Sequence, residues 1–356
     1  GGTRDCFGDA EQIGDELLPL AYGMWDYLKN GVGEKEKHKN WALSWIGALP
    51  GKRESRRYEG PYIMNQNDVE SGGDFEDEIA YGGWSMDDHN PAGFRTQEEP
   101  TIYHPAPSPY GIPFRCLYSK GVPNLLFAGR NISVSHAALS SCRVMGTCAL
   151  LGQAAGTAAS LAITEQCFPK DFSKEQIVRL QHILMDDDCF LPHFKRPISA
   201  LSASASLSGD GNNLECLRDG IDRDRPNVCH AWEGKVGDRI QYSFSKPCNI
   251  HRIRIVFDSD LNRTTLPPPE NTMNRNMFHN RMLSYKPSTV PKTMLRKYRV
   301  IAQRSDGTEL CVVEERNNYQ RLRKYKVEIP SCIGFILEPL ETWGSPDVRI
   351  FALEAE

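Results

Sequence analysis

Residues 124–162 constrain the fold of this 356-residue chain more than any other segment. The apolar run 125–128 has the pattern of a buried strand, and Gly129 ends it. A polar turn follows, and residues 148–162 are then almost all small. Small side chains at this density are typical of a helix whose backbone lies close to a neighbour. We therefore expect a strand, a glycine turn and a helix in succession.

This succession suits a nucleotide ligand. A ligand can approach the backbone closely at Gly129, where no side chain intervenes. The free N–H groups at the start of the next helix favour a negatively charged or polar ligand. Gly152 and Gly156 fall on one helix face, which would let the helix lie close against a sheet. The alternative from the residues alone is a packing helix without a ligand.

Residues 124–162 resemble the C-terminal flavin-contacting segment of the FAD-dependent oxidoreductase family, in the two-dinucleotide-binding-domain flavoprotein group. That segment reads N-L-L-x-A-G-R-x-I-S and continues into a helix ending G-x-A-A-G-x-A-A, and this chain meets every one of those positions. Residues 51–57 (GKRESRR), 84–91 (WSMDDHNP) and 112–115 (IPFR) resemble three upstream motifs of the same family. The resemblance covers residues from about 15 to 190.

The resemblance implies FAD as the cofactor. The residues that it assigns to the flavin side are Gly129, Arg130, Asn131, Ser135, His136, Arg143, Val144, Met145, Gly146 and Gly152. No metal is expected, because the Cys and His spacings show no zinc-binding pattern.

Four residues are predicted to line the substrate side: Arg53, Arg57, His89 and Arg115. The arginines of the first motif would hold an anionic group, or the negative charge that a flavin gains on reduction. The alternative is a surface cluster paired with Glu54 and other acids.

His89 is the preferred general base, because the pKa of histidine can be tuned close to neutrality. Its alternative is a residue of a turn-forming Asp-Asp-His-Asn loop. His136 is the second candidate, with a helix-capping or core histidine as its alternative.

The dinucleotide-binding half of the family begins with a strand, G-x-G-x-x-G and a helix. Neither Gly31-Val-Gly33 nor Gly209-Asp-Gly211 meets that pattern. We expect this chain to be the C-terminal portion of a larger flavoprotein, with the N-terminal dinucleotide-binding half supplied by the same gene product or by another chain.

The remaining patterns predict two domains. Residues 11–30 have a helical apolar period, and Pro19 suggests that the helix starts there. Residues 50–116 suggest short strands joined by functional loops, and Ser173 with Gln176 predicts a capping box before a helix at 175–185. The fold class is α/β or α+β for residues 1–197, then an all-β sandwich at 214–356, with residues 198–213 as linker.

The sandwich is predicted from apolar residues of period two at 240–244, 253–257 and 348–350. Residues 214–356 also resemble the discoidin-like, galactose-binding type of β-sandwich. That resemblance makes Trp232 and Trp343 candidates for stacking on sugar rings, with packing in the core as the favoured alternative. Residues 262–293 are predicted to be a long loop or insertion.

Composition excludes several classes of function. The net charge of −4 and the lack of a basic tract interleaved with aromatics argue against nucleic-acid binding. No signal peptide and no membrane span are expected. Eleven cysteines without a C-x-x-C pair are interpreted as reduced thiols, which indicates a cytoplasmic location.

The leading hypothesis is an FAD-dependent oxidoreductase that moves a hydride from a small polar substrate to flavin, with a carbohydrate-like substrate as a candidate. The first alternative is a non-catalytic module whose β-sandwich binds a glycan or a protein. A second is a flavoprotein subunit that passes electrons between partners.

Overall fold

The computed structural model describes residues 3–47, 49, 51–52, 54–260 and 290–356. The chain divides into two compact units. The first comprises Gly1–Leu184 with Leu191–His193, and the second comprises Met185–Phe190 with Phe194–Glu356. The predicted insertion at 262–293 lies almost entirely outside the described residues.

The first unit mixes helices with short antiparallel strands. Its helices are α1 (Ala10–Asn30), α2 (Lys35–His38), α3 (Gln66–Glu70), α4 (His136–Cys142), α5 (Met145–Thr164) and the start of α6 (Lys174–Asp186). Its strands are β1 (Glu78–Gly82), β2 (Met86–His89), β3 (Thr101–His104) and β4 (Tyr110–Pro113), which pair as β1–β4 and β2–β3. The prediction of short strands and loops at 50–116 is confirmed.

Side-chain caps fix where several of these helices begin. The capping box predicted for α6 is present: the Ser173 N–H donates to Gln176 Oε1 over 2.8 Å, and the Gln176 N–H donates to Ser173 Oγ over 3.3 Å. Ser135 Oγ likewise accepts the Ala138 N–H at the start of α4.

Helix α1 confirms the predicted helix but begins at Ala10, so the predicted start at Pro19 is wrong. Pro19 removes only the N–H that would reach the carbonyl of Asp15, and the helix continues on both sides. Within the described residues no side chain of α1 is buried, and Met24 of the predicted apolar stripe is 63% exposed.

The strand predicted at 125–128 is wrong. Only Leu126 forms a bridge, to Tyr118, and Leu125 is 37% exposed. The Phe127 N–H donates to the Leu117 carbonyl over 2.8 Å. A strand needs a backbone partner along its whole length, and among the described residues the cross-chain backbone contacts of this segment reach only residues 117–119.

The helix predicted after the glycine turn is interrupted at Val144, whose backbone is extended, and this break separates α4 from α5. Helix α5 packs against β1. Its buried face is formed by Thr147, Leu151, Ala154, Ala158, Leu161 and Ala162. Gly152 and Gly156 lie on the opposite face, where an added Cβ meets no atom of the described residues within 4 Å, so they do not pack against β1, and their packing against a neighbouring sheet stays a prediction.

One helix in the part of the chain that the structure describes, α5, is long and apolar enough to cross a membrane. Length and composition alone are weak evidence, because a helix that packs in a protein core passes the same test. A third of the apolar window of α5 is buried inside the protein.

Strand β1, which packs against α5, carries a buried carboxyl group. Glu78 of β1 is fully buried, and its Oε2 lies 2.5 Å from His193 Nδ1, while its Oε1 has no hydrogen-bond partner among the described residues. Burial raises the pKa of Glu78 to about 7, and the contact with His193 opposes that rise.

The second unit begins earlier than predicted. Residues 198–213 are not a linker, because they form helix α7 (Ala200–Ser204) and strand β5 (Ser206–Gly209). The other strands are β6 (Trp232–Lys235), β7 (Ile240–Phe257), β8 (Leu295–Arg304), β9 (Glu309–Glu315), β10 (Leu322–Thr342) and β11 (Asp347–Ala355). Strand β5 pairs with β7, which orders the segment.

Two long strands divide this unit into two layers. The first part of β7 pairs with β5 and with the end of β10, which pairs in turn with β8. The second part of β7 pairs with β11 and with the start of β10. Register shifts in β10 between Lys326 and Gly334 mark the change of layer. The all-β prediction is confirmed, and the apolar runs 240–244 and 253–257 belong to the single strand β7.

A buried ion network ties the start and the end of the second unit to its strands. Arg254 is 2% exposed, lies 2.9 Å from Asp222 and donates to the carbonyls of Met185 and Asp186. Arg196 binds Asp222 from another side and also contacts Glu354 of β11. Burial acts to raise the pKa of Asp222, but Arg254 and Arg196 outweigh it and hold that pKa below its ordinary value.

Replacing Glu78 by glutamine tests the buried carboxyl. Its pKa is higher in the folded chain than the ordinary value of 4.5, so its stabilising contribution is complete below that value and is lost as the pH rises through about 7. From about pH 5 to about pH 8 we expect the free energy of unfolding of the wild type to fall by roughly 2–3 kcal/mol more than that of Glu78→Gln. Urea titrations at several pH values measure how the free energy of unfolding of each protein changes with pH.

Glu76→Gln is the matched control, because Glu76 is exposed and pairs only loosely with Lys174. If the free energy of unfolding changed equally with pH in the wild type and in Glu78→Gln, the raised pKa of Glu78 would be contradicted.

Candidate functional site

A cavity of about 720 Å³ lies in the first unit. Its walls come from the N-terminal part of the chain, the segment 51–55, the end of β2 with the loop after it, and α4. Three predicted site residues line it, namely His89, His136 and Arg143. They are brought together because β2 and α4 pack against each other.

His136 lies between two carboxylates. It is the first residue of α4, and its Nδ1 lies 2.5 Å from Glu54 Oε2. Its Nε2 lies 3.0 Å from Asp88 Oδ1 on β2. The ring thereby connects three segments that are far apart in the sequence.

Glu54 also reaches a second predicted residue. Its Oε1 pairs with the guanidinium of Arg57, while its Oε2 faces His136. Arg57 is therefore connected to the cavity through Glu54. The surface-cluster alternative correctly anticipated this partner, but it did not anticipate that the same carboxylate also binds His136.

His89 and Arg143 share Asp87. His89 Nε2 lies 3.3 Å from Asp87 Oδ1, and His89 Nδ1 lies 3.1 Å from the hydroxyl of Thr101, its cross-strand partner on β3. Arg143 donates to Asp87 Oδ2 over 3.2 Å and to the Asp87 carbonyl over 3.1 Å. Its side chain is 13% exposed, so the β2 end and the C-terminus of α4 are held together by a largely buried pair.

The turn predicted to contact the flavin is joined to the segment 51–58. Gly129 has φ +94°, in the region that favours glycine, and the nearest atom to an added Cβ is Asn131 Oδ1 at 3.8 Å. Arg130 donates to the carbonyl of Lys52, which lines the cavity. The Asn131 carbonyl accepts the Tyr58 N–H over 2.8 Å.

The other predicted flavin-side residues follow this turn. Ser135 caps α4, and Val144 immediately precedes α5. Met145 is 85% exposed, and an added Cβ at Gly146 or Gly152 meets no atom of the described residues within 4 Å.

These positions fit a bulky, planar ligand such as FAD. The backbone at Gly129 adopts a conformation that a side chain disfavours, and it is accessible from the side where a Cβ would stand. The first turn of α5, at Met145 and Gly146, is also accessible. The assignment of individual residues to the flavin stays a prediction.

Among the predicted substrate-side residues, one lies outside the described residues and another does not line the cavity. Arg53 lies outside the described residues. Arg115 does not line the cavity: its Nε and its backbone N–H both donate to Asp77 Oδ2, and its guanidinium lies over the Tyr62 ring, 5.0 Å from the centroid. An arginine that is paired and stacked in this way serves to hold a loop.

Sequence reasoning missed Asp88 and the cavity-lining role of Lys52 and Glu54. Glu54 and Lys52 belong to the first upstream motif, and Asp88 directly precedes His89. The motifs therefore contain these residues, but only the fold shows that the carboxylates of Glu54 and Asp88 both contact the His136 ring.

Two predictions concern the second unit. Trp232 is fully buried and donates to the Asp210 carbonyl, so the interpretation that it packs in the core is confirmed. Trp343 is half-buried, packs against the core and lies under the guanidinium of Arg296.

No group of three or more His, Cys, Asp or Glu side chains is placed to hold a metal ion within the described ranges. Asp258 pairs with Arg349.

The sequence profile of a family described as FAD dependent oxidoreductase matches residues 7–184, half of the chain. The matched region contains most of the residues that line the cavity, and the glycine turn. Among curated proteins, none matches this chain.

Part of the chain is similar to solved carbohydrate-binding modules of family 32. The module from Streptococcus pneumoniae EndoD has 12% identity and a TM-score of 0.33, with 44% of this chain and 99% of that chain covered. A Clostridium perfringens module in complex with GalNAc-β-1,3-galactose has 11% identity and a TM-score of 0.30, with 44% and 99% covered. The module of Clostridium perfringens NanJ in complex with galactose has 12% identity and a TM-score of 0.29, with 44% and 95% covered.

Replacing Gly129 by alanine tests the turn. The added methyl group has room, but φ +94° is unfavourable for alanine, so we expect a loss of roughly 1–3 kcal/mol in the free energy of unfolding. Gly152→Ala is the control, because its helical backbone accepts alanine and its Cβ position is equally open. Urea unfolding compares the two, and a Gly129→Ala protein as stable as the control would contradict the argument.

Proposed function

The chain belongs to the FAD-dependent oxidoreductase family, and on that premise we propose that the cavity between β2 and α4 takes a small polar substrate whose hydride passes to the flavin. The observation that supports this most is the meeting of His89, His136 and Arg143 on one cavity inside the region that the family profile matches. When bound, FAD would supply the hydride acceptor.

We propose that His89 removes the hydroxyl proton of the substrate. Its ring is oriented by Asp87 at one nitrogen and by the Thr101 hydroxyl at the other. The Thr101 hydroxyl can donate or accept a hydrogen bond, so it can give up the Nδ1 lone pair to the substrate hydroxyl, and Nδ1 can bond to it again after taking up the proton. Its place on the cavity wall lets it face a bound substrate.

The size of the cavity suits a small molecule. A volume of about 720 Å³ is within the usual range for small-molecule sites. Apolar atoms contribute most of the exposed wall, and charged side chains on it, including Asp5, Lys52 and Arg143, can bind polar groups of a ligand. A hydroxylated or carbohydrate-like substrate suits hydrogen bonding to such groups, and it remains the proposed class.

The ADP portion of the cofactor needs a dinucleotide-binding half with a G-x-G-x-x-G turn, and no segment of the 356 residues has that pattern. We propose that this half is a polypeptide outside these residues, from the same gene product or another chain. The accessible face of α5 supports this: its small residues Ala149, Gly152 and Gly156 allow another backbone to come close.

Titration of the full chain with FAD, alone and together with the dinucleotide-binding half, tests the proposal. We expect the visible absorption band of bound flavin to be retained after gel filtration. Arg130→Ala should weaken retention by about tenfold, as expected for one hydrogen bond from a charged group. Arg299→Ala is the control, because Arg299 pairs with Glu314 in the second unit.

Retention by Arg130→Ala equal to that of the control would remove Arg130 from the flavin side. A chain that takes up no flavin under either condition would contradict the proposed function. If that chain were instead held by immobilised galactosides, the result would favour the alternative, a glycan-binding module.

A further inference from the structure

The carboxylate of Glu54 has two partners that lie on different parts of the first unit. One oxygen pairs with Arg57, three residues along the same segment, and the other lies 2.5 Å from Nδ1 of His136 on α4. A single side chain therefore fixes two predicted site residues relative to each other.

Both ring nitrogens of His136 face carboxylates. Nδ1 faces Glu54, and Nε2 lies 3.0 Å from Asp88 on β2. An ionised carboxylate only accepts hydrogen bonds, so a ring that carries both N–H groups is the one that can bond to both. The charges then alternate in sign from Arg57 through Glu54 and His136 to Asp88.

We infer that Glu54 is a positioning residue of the cavity: by binding Arg57 and His136 together, it holds the His136 ring turned so that its second nitrogen faces Asp88. This inference deepens the proposed function, because it concerns the same cavity, but the geometry that carries it contains no cofactor. Asp88 anchors the ring from β2, beside His89.

The Glu54–His136 pair is too exposed to act mainly by stabilising the fold. The side chains of Glu54 and His136 are 35% and 57% exposed, and ion pairs with that exposure contribute little to stability. The main consequence of losing Glu54 is therefore a change in the His136 ring rather than in the stability of the unit. Glutamine keeps the shape of glutamate, but if its oxygen accepts from Arg57, its amide N–H can bond to Nδ1 of His136 only when that nitrogen carries no proton, so the ring cannot keep both N–H groups and this contact.

Nitrogen-15 NMR of the histidine rings in the full chain, without added FAD, tests the inference. His136→Gln assigns the His136 signals by removing them. In the wild type at about pH 5.5, below the ordinary pKa of histidine, we expect two protonated ring nitrogens for His136, each with an observable N–H proton signal. In Glu54→Gln we expect the Nδ1 proton signal to be lost or broadened, whereas the thermal unfolding midpoint should match that of the control.

Glu59→Gln is the matched control, because Glu59 pairs with Lys120 and does not touch a histidine. It should leave the His136 signals unchanged. A wild-type ring with one protonated nitrogen, or a Glu54→Gln protein with both signals intact, would overturn the inference.

Different results would contradict the proposed function and the positioning role of Glu54. Failure to bind FAD contradicts the proposed function but leaves the ring signals as they are. Altered ring signals in Glu54→Gln with unchanged FAD retention support the positioning role on the substrate side.

Discussion

The contacts of Glu54 with Arg57 and His136, and of His136 with Asp88, are the interactions on which the arrangement of the cavity depends. They join the segment 51–58, α4 and the end of β2, which neither a shared sheet nor a continuous helix connects. The same segment meets the glycine turn through the Lys52 carbonyl, which accepts from Arg130, and through the Tyr58 N–H, which donates to Asn131. The segment 51–58 therefore links the side of the site predicted to contact flavin with the side predicted to contact substrate.

The second unit uses charge in a different way. Arg254 and Arg196 are almost completely buried around Asp222, so each charge depends on its partners for the solvation that water would otherwise supply. Breaking such a pair costs about 3–5 kcal/mol, whereas an exposed pair contributes at most about 1 kcal/mol. The buried network thus holds the start and the end of the unit in place. The exposed charges around His136 act instead by orienting side chains.

Local signals in the sequence predicted the elements that local interactions determine. The helix at 11–30, the capping box of Ser173 with Gln176 and the period-two strands were all predictable from neighbouring residues. The strand predicted at 125–128 does not form. A strand depends on partners elsewhere in the chain, and among the described residues this segment pairs only with residues 117–119. Residues 198–213 have the composition of a linker, but pairing of β5 with β7 orders them. The motifs identified His89 and His136 as candidates, whereas only the fold shows which residues they contact.

The partners of the two histidines also separate their roles. Each nitrogen of His136 faces a carboxylate, so the ring can release a proton only by giving up a hydrogen bond to Glu54 or Asp88. His89 faces one carboxylate and one hydroxyl, and the Thr101 hydroxyl can reverse its role as donor or acceptor. A proton can therefore be taken up at Nδ1 when the substrate hydroxyl replaces the Thr101 hydroxyl there, while the contact with Asp87 remains. This difference favours His89 over His136 as the proposed general base.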